Sequence, residues 1–322
     1  MENYLQTSPM QFIEEGFQKE NQSENELKFS LGNSYMQSRA HFEEFYSGES
    51  ELGSYIDGIY KNTIEGEEKC LSNLPNWTSL HVFLNSEMLD LARCEVSNYR
   101  KMLDLENGLL ERSFEVTTEV GRQLEVKITR FLSLARTEIG AIRYTIKSLN
   151  FVGRIAFVPV IDGDFNAIKY PDKEPEWNVL QSRTQKEVAH LWIQTRKTNF
   201  QVCGAVSYEL FKNNSLQNVI PTKIEKQKIA GFSVGCDVKE NDTVYLNKYF
   251  AVLSSLNHPY QELTVRSCDK VLEAKSIGWY ALMEESKIAW NQKWDKLGLL
   301  PGSEANSDDV LNAYKESLIK PS

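Results

Sequence analysis

The chain has 322 residues, 41% hydrophobic and 25% charged, an ordinary globular composition that supplies a real apolar core and excludes wholesale disorder. A formal charge of -9 and an isoelectric point near 5.2, with no dense Lys/Arg stripe, repel phosphate backbones and argue against a nucleic-acid partner. No apolar run reaches the roughly 18–20 residues a spanning helix needs, and "MENYLQTSPMQFIEEGF" lacks a basic start followed by an apolar stretch, so the reading is cytoplasmic with no membrane partner.

The first informative segment runs from Ser30 to Asn62. It sets Gly32, Gly48, Gly53 and Gly58 among Tyr35, Phe42, Phe45, Tyr46, Tyr55 and Tyr60, with neither helical nor strand periodicity. Glycine suits sharp turns and close backbone approaches, so aromatic side chains on such a backbone suggest a surface that meets something. From about Leu80 to Phe250 the apolar pattern has period two. "LHVFLN", "LERSFEVTTE", "RQLEVKITRFLSL", "IGAIRYTIKSL" and "VGRIAFVPVI" read as strands, followed by "VAHLWIQT", "FQVCGAVSYEL", "KIAGFSVGCDV" and "DTVYLNKYFAVLSS". That is more than one twisted open sheet holds comfortably, so two packed antiparallel sheets are expected. The links at Val120 to Arg122 and at Asn150 to Gly153 have hairpin length and predict antiparallel neighbours on either side.

Near Pro259 the period changes, and Tyr260 to Gly298 predicts two helical segments ending on Gly298 as a C-terminal cap. Trp290 and Trp294, four residues apart, read as packing rather than a ligand platform. Beyond a Pro/Gly/Ser break, the last residues hold one or two weak amphipathic turns.

Self-contained chemistry is hard to find. His41, His81, His190 and His258 lack metal-ligand spacing, and no phosphate cradle or nucleophile elbow is present, so no catalytic residue and no metal site is assigned. The acidic pairs Glu14/Glu15, Glu43/Glu44 and Glu284/Glu285 read as solvated surface rather than paired acid and base. "VIDGDF", with Asp162 and Asp164 around Gly163, predicts a type I turn with Asx hydrogen bonds rather than a calcium loop. Cys70, Cys94, Cys203, Cys236 and Cys268 are scattered and odd in number, as buried free thiols would be.

Taken in order, "IEEGF", "SLGNSYMQSRAHFEE", "GSYIDGIY", "LPNW", "YRKMLDLENGLLERSF", "EIGAIRYTI", "IDGD" and "AWNQKW" closely resemble the N-terminal region of glycoside hydrolase family 65, the maltose, kojibiose and trehalose phosphorylases. The resemblance implies a mainly β fold. A large two-sheet antiparallel super-β-sandwich of galactose mutarotase-like type would occupy residues 1–258, linker helices 259–298 and a tail 299–322, with the catalytic α/α barrel missing from this chain. The implied function is that of a non-catalytic domain supporting the active-site rim and a homodimer. Its parent enzyme would act with inversion on an α-linked glucose disaccharide, need no cofactor, and take inorganic phosphate as co-substrate if a phosphorylase. Gly32, Asn33, Tyr35, Arg39 and Tyr55 would belong to a barrel-docking surface or simply fold a complex loop, and Trp279, Trp290 and Trp294 would pack the linker. Cut off from a barrel, both regions should expose apolar surface and drive self-association, with the tail folding back as partial cover. Two alternatives stay open: a stand-alone carbohydrate-binding sandwich using Trp77, Trp177 and Trp192 as stacking rings, and a mutarotase-like enzyme, which would need a convergent His pair and Glu.

Overall fold

The computed structural model describes residues 5–8, 10–62, 70–164, 175–299, 310 and 312–314. In chain order it contains β1 (Leu5–Ser8), β2 (Gln11–Glu15), α1 (Gln22–Lys28), β3 (Leu31–Gly32), β4 (Met36–Ser38), β5 (Ser54–Ile56), β6 (Leu80–Leu84), β7 (Glu87–Met88), β8 (Glu95–Asp104), β9 (Leu109–Thr117), β10 (Gln123–Leu132), β11 (Ile139–Ser148) and β12 (Gly153–Asp162). There follow β13 (Trp177–Thr184), β14 (Ala189–Thr195), β15 (Gln201–Lys212), β16 (Ser215–Leu216), β17 (Thr222–Lys226), β18 (Ile229–Val238), β19 (Thr243–Ser254), α2 (Leu263–Ile277) and α3 (Trp279–Leu297).

The strands form an 11-stranded sheet ordered β1-β2-β8-β9-β10-β11-β19-β15-β14-β13, with β16 beside β15; a 5-stranded sheet ordered β17-β18-β12-β6-β7; and a 3-stranded sheet β3-β4-β5. The pairings that build the two large sheets are antiparallel. Period two explains the layering. On β10, Leu124, Val126 and Ile128 join a core with Val82, Leu84, Ile155, Phe157 and Phe232 of the smaller sheet, whereas Phe131, odd in the register, joins a second cluster with Leu263, Val271, Trp279 and Leu282 of the helices. The large sheet thus has the small sheet on one face and α2 and α3 on the other, a β-sandwich with helices laid along one side.

The helices end as glycine dictates. Gly278 (φ 86) separates α2 from α3, and Gly298 (φ 69) caps α3 in the left-handed region with its N–H 3.0 Å from the Asp295 carbonyl. Among the described cysteines Cys94, Cys203 and Cys236 are buried, Cys70 and Cys268 are half-buried, and all are free.

Three expectations are corrected. The short link from Asn150 to Gly153 does not make a hairpin: β11 pairs with β19 in the large sheet and β12 with β6 and β18 in the small one. Phe151 is buried there and its N–H and carbonyl both bond the Ser148 hydroxyl, so the loop turns a corner between sheets. The tryptophans offer no stacking platform, since Trp77 and Trp177 are buried in the core and Trp192 packs against the helix-side cluster. Finally, the face of α3 that carries the tryptophans is not open. Trp279 meets Phe131 edge-on at 5.3 Å, Trp294 donates to the Leu105 carbonyl at 2.9 Å, and Trp290 and Trp294 are fully buried. The space above Trp290 is taken by Tyr314, whose ring lies 5.7 Å away and whose hydroxyl bonds the Ser30 carbonyl and Gly32 N–H. The tail turns expected after residue 299 otherwise fall outside the described residues.

Candidate functional site

A row of cations interrupts the inward face of the large sheet. Lys101 on β8 stands opposite Arg112 on β9, and Arg130 of β10, Ile142 of β11 and Lys248 of β19 are aligned across the next strands. All four cations are buried, and desolvating a charge is costly unless it is paired. The counter-charges arrive from the N-terminal segment. Glu14 on β2 pairs with Lys101 at 2.9 Å, Glu44 grips Arg112 through both oxygens at 2.6 and 2.5 Å, and Glu43 bridges Arg112 at 2.8 Å and Arg130 at 3.1 Å. Burial alone would favour a neutral Glu43, but Arg130 and Arg112 outweigh it and hold its carboxyl below the ordinary range. Lys248 has no carboxylate in pairing range among the described residues. Its ammonium donates to the Ser79 and Val160 carbonyls at 2.6 and 2.7 Å, and burial drives it well below an ordinary amine.

Adjacency in the chain had marked Glu14/Glu15 and Glu43/Glu44 as solvated surface. The structure corrects this: Glu14, Glu43 and Glu44 are buried ion-pair partners, because the segment that carries the last two lies across the end of the sandwich rather than over its surface. The signal for the cluster lay in the strands. Along Leu110, Arg112, Phe114 and Val116 the inward positions alternate cleanly except for one cation, and a charge at a core position demands a partner.

The residues expected to form a docking surface fall into two groups. Gly32, Asn33 and Tyr35 are buried. Asn33 organises the segment: its Oδ1 accepts from the Tyr35 and Met36 N–H groups, both at 2.9 Å, and its Nδ2 donates to the Ser133 and Thr137 carbonyls at 2.7 and 3.0 Å. Arg39 and Tyr55 keep part of their surface, with Arg39 paired to Glu51 at 2.6 Å and Tyr55 opposite Gln37 in the small β4/β5 ladder. The glycine-rich, aromatic stretch is therefore mostly a plug. It covers the sandwich end with Phe42 and Tyr35 and delivers the acids that neutralise it.

Beside this plug lies a cleft of about 600 Å³, lined by Phe42 to Ser50, Asn76, Ser79, His81, Asp162, Asp164 and Ile229 among others. Burial pushes the Asp162 carboxyl up to about 6, and burial with the Lys248 charge pushes His81 down to about 4. Asp162 closes the expected turn, accepting from the Asp164 N–H at 2.8 Å. The other histidines are engaged separately: His41 with Thr78 and Asn76, His190 with Gln181 and Cys268, His258 with Glu138.

The family description "Glycosyl hydrolase family 65, N-terminal domain" matches residues 12–293. The chain belongs to glycosyl hydrolase family 65. Within the family it is 28% identical over 293 residues to the α,α-trehalose phosphorylase of Thermoanaerobacter brockii, covering 84% of this chain and 37% of that protein. It is 24% identical to the maltose phosphorylase of Bacillus subtilis, covering 87% of this chain and 38% of the relative. Over a shorter stretch of 147 residues it is 35% identical to the kojibiose phosphorylase of Caldanaerobacter subterraneus subsp. tengcongensis, 45% of this chain and 19% of the relative. A solved structure described as a putative kojibiose phosphorylase from human microbiome superimposes with a TM-score of 0.78 at 22% identity, covering 90% of this chain and 39% of that one, so the fold is shared. The chain spans under two fifths of the length of these family 65 relatives. No helix among the described residues is long and apolar enough to cross a membrane.

Proposed function

We propose that this chain serves as the non-catalytic N-terminal part of a family 65 enzyme that cleaves an α-linked glucose disaccharide of the trehalose, kojibiose or maltose type in the cytoplasm. It works with a catalytic α/α barrel lying outside these residues, which acts with inversion on the disaccharide; inorganic phosphate is the co-substrate if the enzyme is a phosphorylase, and no cofactor is required. The observation that carries this reading is the family match, which extends from within β2 through β19 and α2 into α3, while the relatives are more than twice as long. The role of the chain is then architectural. The plug from Ser30 to Tyr60 braces the sandwich end from within through Gly32, Asn33 and Tyr35, and offers Arg39 and Tyr55 outward to the barrel and the active-site rim.

Purified chain incubated with each of the three disaccharides and inorganic phosphate is expected to release no glucose 1-phosphate in a coupled dehydrogenase assay. Sustained phosphate-dependent release would overturn the non-catalytic reading. Light scattering at micromolar concentration is expected to give the mass of a dimer, and a strict monomer would remove the assembly role.

A further inference from the structure

The cleft beside the plug holds polar groups that the fold itself does not use. Asn76 and Asp162 form a hydrogen-bonded antiparallel bridge, their backbones exchanging N–H···O bonds of 2.7 and 2.9 Å, so their side chains stand next to each other on one face. Both side chains are more than nine-tenths buried, and both line the cleft. The Asn76 amide is oriented by the Thr78 N–H, which donates to its Oδ1 at 2.9 Å, and this leaves Nδ2 as a donor without a partner among the described residues. Asp162 uses Oδ1 for the Asp164 N–H, and Oδ2 has no partner there. His81 stands opposite Val158 on β12, on the same face as Asp162 four residues along, and neither of its ring nitrogens has a hydrogen-bond partner among the described residues. A donor, an acceptor and an imidazole that can do either thus converge in one cleft, and buried polar groups in folded proteins otherwise find partners.

The surroundings narrow what could fit. Asp162, Asp164 and Glu49 line the cleft, whereas Lys228, 3.4 Å from Asp164, and Lys226 and Lys248, whose charges reach Asp162, are not among its described lining residues, so the wall is acidic and disfavours phosphates and carboxylates. No group of three or more metal-ligating side chains occurs among the described residues, and the Asn76 amide would present a donor to any cation. Phe45 and Tyr46, both half-buried, supply apolar ring surface to the lining, the Phe45 ring centred 6.3 Å from the His81 ring. The volume of about 600 Å³ is in the range of small-molecule sites. Adjacent hydroxyls each donate and accept, as the neighbouring Asn76 and Asp162 require, and the C–H face of a sugar ring suits an aromatic wall.

We propose that this cleft binds a neutral polyhydroxylated ligand, a mono- or disaccharide. Asp162 accepts from one hydroxyl, Asn76 donates to its neighbour, His81 bonds a third, and Phe45 and Tyr46 pack on the ring. The proposal concerns binding by this chain's own residues and stands whether or not the phosphorylase reading holds.

The test is calorimetry and saturation-transfer NMR on the full chain at neutral pH with glucose and maltose, and with cyclohexanol and glucose 6-phosphate as controls. Saturable binding of glucose or maltose in about the millimolar range is expected, with none for cyclohexanol. Asp162→Asn keeps the Oδ1 acceptor for Asp164 but turns Oδ2 into a donor, and His81→Ala breaks no side-chain hydrogen bond among the described residues. Each should weaken sugar binding by about tenfold or more while the far-ultraviolet circular dichroism stays unchanged. Absence of saturable sugar binding up to about 50 mM, sugar binding indifferent to both substitutions, or tighter binding of glucose 6-phosphate than of glucose would each overturn the proposal.

Discussion

Replacing Glu44 by Gln removes one charge from the most enclosed ion pair of the sandwich end and changes almost nothing in shape. Arg112 then keeps only Glu43, which it already shares with Arg130, while the Glu44 and Arg112 side chains are 0% and 5% exposed, so water cannot step in. Stranding a buried charge costs about 3–5 kcal/mol, and the surviving contact to Glu43 places the expected loss near the lower end, about 3 kcal/mol. With an unfolding entropy of about 2.1 cal/mol/K per residue, a chain of 322 residues should melt about 4 °C lower. Guanidinium unfolding followed by tryptophan fluorescence measures the loss directly. Glu119→Gln is the control, because the Arg93–Glu119 pair is exposed, solvent screens it, and its loss should leave the unfolding midpoint unchanged. In the double variant Arg112→Met with Glu44→Gln, the loss should fall well short of the sum of the two single losses, because no charge is then left stranded. If Glu44→Gln is as mild as Glu119→Gln, the claim that the N-terminal segment neutralises a buried cationic row is wrong.

Burial holds the folded-state values of His41 and His81 down to about 3 and about 4, so their stabilising contributions are complete above the ordinary histidine range and lost as pH falls toward those values. Asp162, raised to about 6 by burial, acts oppositely, its contribution being lost as pH rises through about 6; the net expectation is a decline of roughly 1 kcal/mol per pH unit from pH 6.5 down to about 4.5, nearly abolished in His81→Gln because Asp162 then offsets the one remaining histidine, and checked by urea titrations across that window. Gly108→Ala should destabilise by about 2–4 kcal/mol in the same unfolding assay, since Gly108 has φ +64 and an added Cβ would lie 1.9 Å from the Trp290 Nε1. Tyr314→Phe removes the hydroxyl that bonds Ser30 and Gly32 and is expected to cost about 1 kcal/mol and to speed hydrogen exchange at the Gly32 amide; unchanged exchange there would show that the contact is absent in solution.

The β9–β10 hairpin and the helices after Pro259 were legible because local pattern decides them: alternation across a tight turn in the first, a change of period in the second. β8 and β13 were not. Each carries an irregularity, between Ser97 and Arg100 in β8 and between Val179 and Gln181 in β13, and an inserted residue flips the alternation midway, so neither half is long enough to read. The link at Asn150 misled because a short loop can also change sheets when one of its residues, here Phe151, is buried at the corner. At the candidate site, Asn33 was singled out but its task was invisible, since its partners Ser133 and Thr137 are about a hundred residues away. Asp162 was noticed for its turn. Its place beside Asn76 and His81 depends on an isolated bridge from Asn76 to the end of β12 and on the β6–β12 pairing, contacts made only in the folded chain.

The position of β19 has a consequence for how the protein comes into being. This strand is made after every other strand of the described residues, yet it sits in the interior of the large sheet, between β11 and β15. Until Thr243 to Ser254 has left the ribosome, β11 and β15 are two open edges of what will be one sheet, with unpaired N–H and C=O groups over most of their length. The two halves of the sheet therefore wait on either side of a gap that a single late segment must fill, a route of long-range pairings that folds slowly and offers nascent chains a template for pairing with each other.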